Sequence, residues 1–400
     1  MTGRERIART MRHAAPDRVP VMCQLSIGHY NLNAGYKPHQ IWYDTEAFAD
    51  ACVKLARRYA FDGILVVLPG RPPDYLDGVD SIREGDDGEW LTWRNGDRTF
   101  LPWDDMPHHH PAGGGPLTRA SIQTFDPDRH FDRLDDFTGY LWNVLFHIQS
   151  VPGKPDGGLL RRGAVPAYLF DAFDRVKARA GDLSVHGSIY SPLTHYFELF
   201  GYEAALLALI EDPGRVHAAL DHLTEGVIAW SLALLERGAD ALDHSSAFVA
   251  APFLSRKLYQ EFVVPYERRV NRAIRDAGGI VYTHTCGRIA DRLDLIAATD
   301  TLGIDTLDPP PLGNCDLARA KREFGDRLFF KGNINSVELL EYTTEEQVIA
   351  EAVRPLRIGA PGHGYILSTA CSAAPRVEPW KLELLARVAE DYAGLHSTTK

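Results

Sequence analysis

His284 and Cys286 stand two residues apart in VYTHTCGR, at the end of an apolar, β-branched run. Cys371 closes a second such run, YILSTAC, 85 positions later. Imidazole nitrogen and cysteine sulfur are the donors zinc takes, and three protein donors with a fourth position open describe a catalytic site rather than a structural one. On a strand, alternate residues face the same way, so His284 and Cys286 project together with Tyr282 deeper on that face, where it is expected to line the substrate site. A histidine and a cysteine in a strand are by themselves unremarkable core residues. The third donor, at the end of another run, is what points to metal.

Other residues sit where chemistry is delivered. Asp243 and His244 end the run ADALDHS, His29 follows the run VPVMCQL, and Asn333 follows Gly332 in LFFKGNI; all four are expected to bind substrate. Asp305 and Asp308 either orient a ligand or hold the turn that DPPP requires. Cys315 is a candidate spare metal donor, although Asp316 beside it reads as a helix cap and the bet is against it. Cys23 and Cys52 read as core. His108, His109 and His110, consecutive between prolines, have poor geometry for one tetrahedral ion and read as a solvated loop.

The elements that must position these residues follow from hydrophobic periodicity. Eight apolar runs, at 19–25, 61–69, 183–189, 239–245, 279–286, 304–309, 328–334 and 365–371, alternate with helix-sized spacers. This predicts an α/β chain folded as a (β/α)8 TIM barrel, whose active site lies where the strands end. Thr2 and Glu5 have capping-box spacing, so an N-terminal helix precedes the first strand. Asp212-Pro213 starts a long helix, Ser255 starts another that kinks at Pro265, and Gly278-Gly279 stops it. Residues of about 70–180 form an insertion after the second run. Asp87-Gly88 and Asn95-Gly96 lie there between alternating segments, which predicts a β-meander on the catalytic face. No linker or repeat calls for a second domain, so 1–400 reads as one.

A formal charge of −11 argues against a nucleic-acid partner, and no lysine/arginine stripe overturns it. Five scattered cysteines are not a disulfide framework and point to a reducing compartment, the cytoplasm. No run reads as a membrane span, and the first residues lack a signal-peptide core.

Several segments resemble, in order, those of the uroporphyrinogen decarboxylase superfamily, specifically its zinc-dependent, corrinoid-linked, methylcobamide:coenzyme M methyltransferase-like branch. They are HAAPDRVPV, GYEAALLALIEDPGRV, FLSRKLYQEFVVPYERRV, YTHTCGRI, LDPPPLGNCDLARAKREFGDRLFFKGNI and YILSTAC. The branch's HxC…C zinc pattern falls on His284, Cys286 and Cys371. The resemblance implies a TIM barrel, Zn²⁺ as cofactor and a methyltransferase moving a methyl group between a corrinoid of the methylcobalamin type, carried on a separate corrinoid protein, and a small thiol. Three readings stay open beside it: a corrinoid-dependent demethylase of a methoxy or methylamine substrate, a metal-free decarboxylase-like lyase, and a non-catalytic partner that docks a corrinoid protein and whose zinc is structural. The decarboxylases carry an arginine-bearing segment after strand one, whereas CQLSIGHYNL here has none, which counts against the lyase. SAAPRVEP after Cys371 also departs from the branch's glycine- and proline-containing loop. A small-molecule methyl donor or acceptor is implied, and a homo-oligomer is compatible with the sequence.

Overall fold

The computed structural model describes residues 1–115, 121–125 and 167–397. Seven of the eight apolar runs form one curled parallel sheet. In chain order the strands are β1 (Gly63–Val66), the insertion's β2 (Val79–Gly85), β3 (Gly88–Trp93), β4 (Arg98–Pro102) and β5 (His108–His110), then β6 (Ser184–Tyr190), β7 (Ala241–Ser245), β8 (Val281–Thr285), β9 (Gly303–Thr306), β10 (Phe329–Ile334) and β11 (Tyr365–Thr369). The large sheet runs β1-β6-β7-β8-β9-β10-β11. Its strands are buried on both faces, which is why they read as near-continuous apolar runs.

The run at 19–25, expected as a full strand, makes only isolated bridges, Val21 to Leu367 and Leu25 to Ala373. Pro20 has no N–H to give to a ladder. The segment nevertheless lies between the two edge strands. Leu367 N–H donates to the Pro20 carbonyl at 2.9 Å, Met22 N–H to the Leu367 carbonyl at 3.0 Å, and Asp62 N–H to the Val21 carbonyl at 2.8 Å.

Inside the curl, Leu65, Ala241, Tyr282, Phe329 and Ile366 form a small apolar layer with Met22. The helix Gly3–Met11 packs Ile7 and Met11 against it from the end where the strands begin. The expected Thr2–Glu5 capping box starts that helix. Above this layer, toward the strand ends, the interior turns polar. Strand alternation carries Asp243, His284, Asp305 and Lys331 inward on β7 to β10, all at least nine-tenths buried.

The outer core lies between sheet and helices. The helix Pro213–Glu236, capped by Asp212, buries Val216, Leu220, Leu223, Val227, Trp230 and Leu234 at helical spacing. By length and composition it could cross a membrane, with mean hydropathy 1.2, so the sequence expectation of no such run needs correcting. Here that apolarity is spent on the core, and its Asp221 and Glu225 pair with Arg269. The helix expected to kink at Pro265 is two helices, Arg256–Phe262 and Val264–Asp276, because the proline takes a first-turn position.

The insertion begins as the expected meander, β2-β3-β4-β5, turning at Asp86-Asp87 and Asn95-Gly96. His108–His110 is a strand rather than a loop: it completes the open edge of β4, with Phe100 opposite His108 and Arg98 opposite His110. Residues 116–120 and 126–166 of the insertion lie outside the described residues.

Candidate metal centre

His284 ends the inward-facing positions of β8, and Cys286 lies one residue beyond the strand. Cys371 lies two residues beyond β11. Two strands separate β8 from β11, yet the loops after them lean inward until the sulfurs of Cys286 and Cys371 are 3.3 Å apart. That is far outside a disulfide, and both thiols are free. His284 Nε2 is 3.4 Å from the Cys286 sulfur, and the donor atoms of all three residues lie within 4.8 Å of one another. Donors of a tetrahedral zinc stand about 3.5–3.8 Å apart, given Zn–S near 2.3 Å and Zn–N near 2.0 Å. The set therefore fits zinc in donor type and in spacing. His284 is buried, while Cys286 and Cys371, in the loops beyond their strands, each keep part of their surface exposed.

The imidazole is held from behind. His284 Nδ1 is 3.0 Å from Asp305 Oδ2, and Lys331 Nζ donates to the same oxygen at 2.7 Å. The three residues are direct register partners on adjacent strands: His284 opposite Asp305, and Asp305 opposite Lys331. A carboxylate on Nδ1 fixes the tautomer that leaves the Nε2 lone pair for a metal. Burial alone would push the Asp305 carboxyl up, but the Lys331 charge and the His284 contact hold it below the usual carboxylate range. Asp243, His284 and Asp305 also come close enough to suggest a second cation site. The Lys331 ammonium already supplies a positive charge on Asp305 there.

Without a metal, the protons of the cluster are shared. The hydrogen bond from Cys286 keeps Cys371 a thiolate, well below the ordinary thiol range, against the opposing effect of burial. That same bond, with burial, holds Cys286 as the thiol. Burial would push His284 down, but Asp305, Cys371 and the Asp243 carboxylate keep it well above an ordinary histidine. A divalent cation would bind such a thiolate and release the shared proton.

The loop after Cys286 is fixed by Asp308, whose Oδ2 accepts the Gly287 N–H at 2.6 Å. Gly287 has φ +86, a conformation that glycine takes without strain. Burial raises Asp308 to about 6 and Asp243 to about 7. Asp243 Oδ1 and Asp308 Oδ1 are buried with no hydrogen-bond partner.

Of the residues expected to bind substrate, only Asp243 stands beside the donors. His244 alternates to the other face of β7, where its Nδ1 lies 2.7 Å from Asn271 Oδ1 on the helix Val264–Asp276. His29 is fully buried, with Nε2 2.7 Å from the Tyr59 hydroxyl and Nδ1 3.2 Å from the Pro375 carbonyl. Through Pro375 it holds the loop that follows Cys371. Tyr282 points inward as expected but lies in the apolar layer below, its hydroxyl 3.0 Å from His186 Nδ1. Asn333 donates to the Leu307 carbonyl at 3.2 Å and lines a separate crevice with Cys315 and Arg354. Cys315 is buried away from the three donors, as the sequence reading favoured. Lys331 was missed; its signal is a lysine two residues after Phe329 on the same face of a fully buried strand.

The family model described as uroporphyrinogen decarboxylase (URO-D) matches residues 160–392. Among curated relatives, the methylcobamide:CoM methyltransferase MtaA of Methanosarcina barkeri is 25% identical over 235 residues, covering 58% of this chain and 66% of that protein. The uroporphyrinogen decarboxylase of Chlorobium limicola is 28% identical over 246 residues, covering 57% and 66%. Each match thus spans just under two thirds of the relative's own length. A solved methyltransferase from Methanosarcina mazei superposes with a TM-score of 0.69 at 17% identity, over 98% of this chain and 99% of that one, a likeness of fold.

Proposed function

The chain belongs to the uroporphyrinogen decarboxylase (URO-D) family, and from that premise we propose that it is a zinc-dependent methyltransferase acting between a corrinoid carrier and a small thiol. The observation that carries this reading is the convergence of one imidazole and two thiols, their donor atoms all within 4.8 Å of one another. A decarboxylase of an acidic tetrapyrrole has no need of soft donors, and the stretch CQLSIGHYNL offers it no arginine.

In this account His284, Cys286 and Cys371 hold the zinc, and Asp305 with Lys331 keeps the His284 ring in the required tautomer. Bound there, zinc supplies the Lewis acidity that turns a thiol into a thiolate at neutral pH. The protein's own part is to fix the direction from which the substrate sulfur arrives, saving the entropy of bringing sulfur and methyl group together. The methyl carrier is read as a corrinoid on a separate protein, and the whole of 1–400 as one (β/α)8-type unit with its insertion on the catalytic side. A cytoplasmic location is part of this reading, since two free thiols in a working site call for a reducing compartment.

The test is a methyl-transfer assay on the zinc-loaded protein, with methylcobalamin as donor. Thiol-dependent loss of the methylcobalamin absorption, abolished by Cys371→Ala, is the expected result. Turnover that is independent of both thiol and metal would overturn the reading.

A further inference from the structure

Cys286 and Cys371 stand closer together than a metal requires. Their sulfurs are 3.3 Å apart, whereas two thiolates on a tetrahedral zinc stand about 3.8 Å apart. Closing the gap to a disulfide of about 2.05 Å asks each sulfur to move about 0.6 Å. A turn of about 20° about each Cα–Cβ bond supplies that much and stays inside a rotamer well. The backbone beside each cysteine is pinned, so the approach is built into the fold. Directly after Cys286, the Gly287 N–H donates to Asp308 Oδ2 at 2.6 Å, and the Thr369 hydroxyl donates to the Cys371 carbonyl at 2.6 Å. The strands below, β8 and β11, are fully buried and joined through β9 and β10.

The other thiols differ from this pair. Cys23, Cys52 and Cys315 are buried, whereas Cys286 and Cys371 each keep part of their surface exposed. Burial pushes Cys52 and Cys315 up to about 12, where almost no thiolate exists at neutral pH. The adjacent pair is therefore where a reagent that reacts with thiolates can act twice in succession. A pool of small thiols, the substrate class proposed above, contains such a reagent in its own oxidised form, a small organic disulfide.

We propose that in the metal-free protein Cys286 and Cys371 form a thiol–disulfide exchange site for small organic disulfides, and that the bond they close excludes zinc. One of the two sulfurs, as the thiolate, attacks a sulfur of RSSR; the S–S bond breaks, RS⁻ leaves and a protein–SR mixed disulfide remains. The second cysteine gives its proton to the departed RS⁻, and its sulfur displaces the other RS⁻. RSSR gains two electrons and leaves as RSH and RS⁻, while the protein loses two and keeps a Cys286–Cys371 bond. Closed in this way the site retains only His284 of its three donors, because zinc takes the thiolate and not the disulfide. Zinc in turn holds both thiolates, so metal and disulfide are alternatives at one place. The exclusion of metal rests on the zinc reading above; the exchange rests on the sulfur geometry alone.

The experiment uses the full chain, reduced and freed of metal, with 2-hydroxyethyl disulfide as the probe. Free thiols are counted by alkylation and mass spectrometry, and linked cysteines are located by peptide mapping. The count is expected to fall from five to three, with a linked Cys286–Cys371 peptide, no retained probe and full reversal by dithiothreitol. In at least one of Cys286→Ser and Cys371→Ser, the remaining cysteine is expected to stop at the mixed disulfide, since no partner resolves it. Protein loaded with zinc beforehand is expected to lose these thiols at least about tenfold more slowly, and oxidised protein to take up no zinc until it is reduced. A wild type that leaves both thiols free, or keeps probe on them instead of linking them, overturns the inference. So does a lack of adduct in both single variants, oxidation at an equal rate in the zinc-loaded protein, or full zinc uptake by the oxidised one. Reduced protein that takes up no zinc yet links the two cysteines overturns the zinc reading and the exclusion drawn from it, and leaves the exchange standing.

Discussion

Replacing Lys331 by methionine keeps the stem that fills the inside of β10 and removes the ammonium that faces Asp305. Both side chains are about 1% exposed, and their separation is 2.7 Å. Breaking a buried pair by deleting one partner costs roughly 3–5 kcal/mol, since the other charge is left uncompensated. The low end applies here because Asp305 still receives the Thr306 N–H at 2.8 Å and the His284 ring at 3.0 Å. At about 2.1 cal/mol/K per residue, unfolding a chain of this length carries about 0.8 kcal/mol/K of entropy, so a loss of about 3 kcal/mol lowers Tm by about 3–4 °C. The assay is thermal unfolding of the metal-free protein, wild type against Lys331→Met, Asp305→Asn and the double variant. The double variant should recover more than half of the loss, since it leaves no charge behind. Asp305→Asn should also bind zinc about 10–100-fold more weakly, because the carboxylate that holds the ring in one tautomer is gone. A Tm within about 1 °C of wild type for Lys331→Met, or strictly additive losses in the double variant, would refute the reasoning.

Glu267 is fully buried, accepts the Ser246 hydroxyl, and burial raises it to about 8. Its folded pKa exceeds its unfolded value, so the folded state binds the extra proton; its contribution is full below about pH 4.5 and is lost as pH rises toward 8. Wild type should therefore lose roughly 3–5 kcal/mol more between pH 5 and pH 8 than Glu267→Gln does, read as Tm against pH for the two proteins; parallel curves would remove Glu267 as the cause. Gly287→Ala forces an L-residue into φ +86, with its Cβ 3.2 Å from that of Ala250. A loss of about 1–2 kcal/mol with weakened metal binding is expected, and an alanine variant matching wild type in both would show that this loop does not set the Cys286 position. Cys286→Ala and Cys371→Ala should lose the metal while retaining the wild-type circular dichroism spectrum, whereas Cys315→Ala should keep its metal. Metal analysis of the three purified variants decides this.

The strands of the large sheet were legible because each is buried on both faces and reads as a short apolar run between turn signals. The one run that failed as a strand contains Pro20, whose missing N–H was in plain view but whose effect depends on which neighbours ask for that donor. The grouping of the candidate donors was legible for a different reason: two of them are two residues apart at the end of a strand, a spacing that survives folding unchanged. Cys371 could be paired with them only through the lean of two loops, which local pattern does not encode. Strand position was a weaker guide to the substrate residues. His244 is next to Asp243 in the chain and faces the opposite way, and His29 spends both ring nitrogens on Tyr59 and Pro375. Alternation puts Asp243 and His244 on opposite faces, so both could not serve one site, and which face looked inward needed the register of β7 against β8.

Zinc stoichiometry combined with X-ray absorption at the zinc edge, on the purified full-length chain, bears most directly on the central claim. One zinc per chain, with two sulfur neighbours at about 2.3 Å and at least one nitrogen or oxygen neighbour at about 2.0 Å, is what convergence of His284, Cys286 and Cys371 requires. A chain that takes up no zinc, or a shell without sulfur, would contradict it.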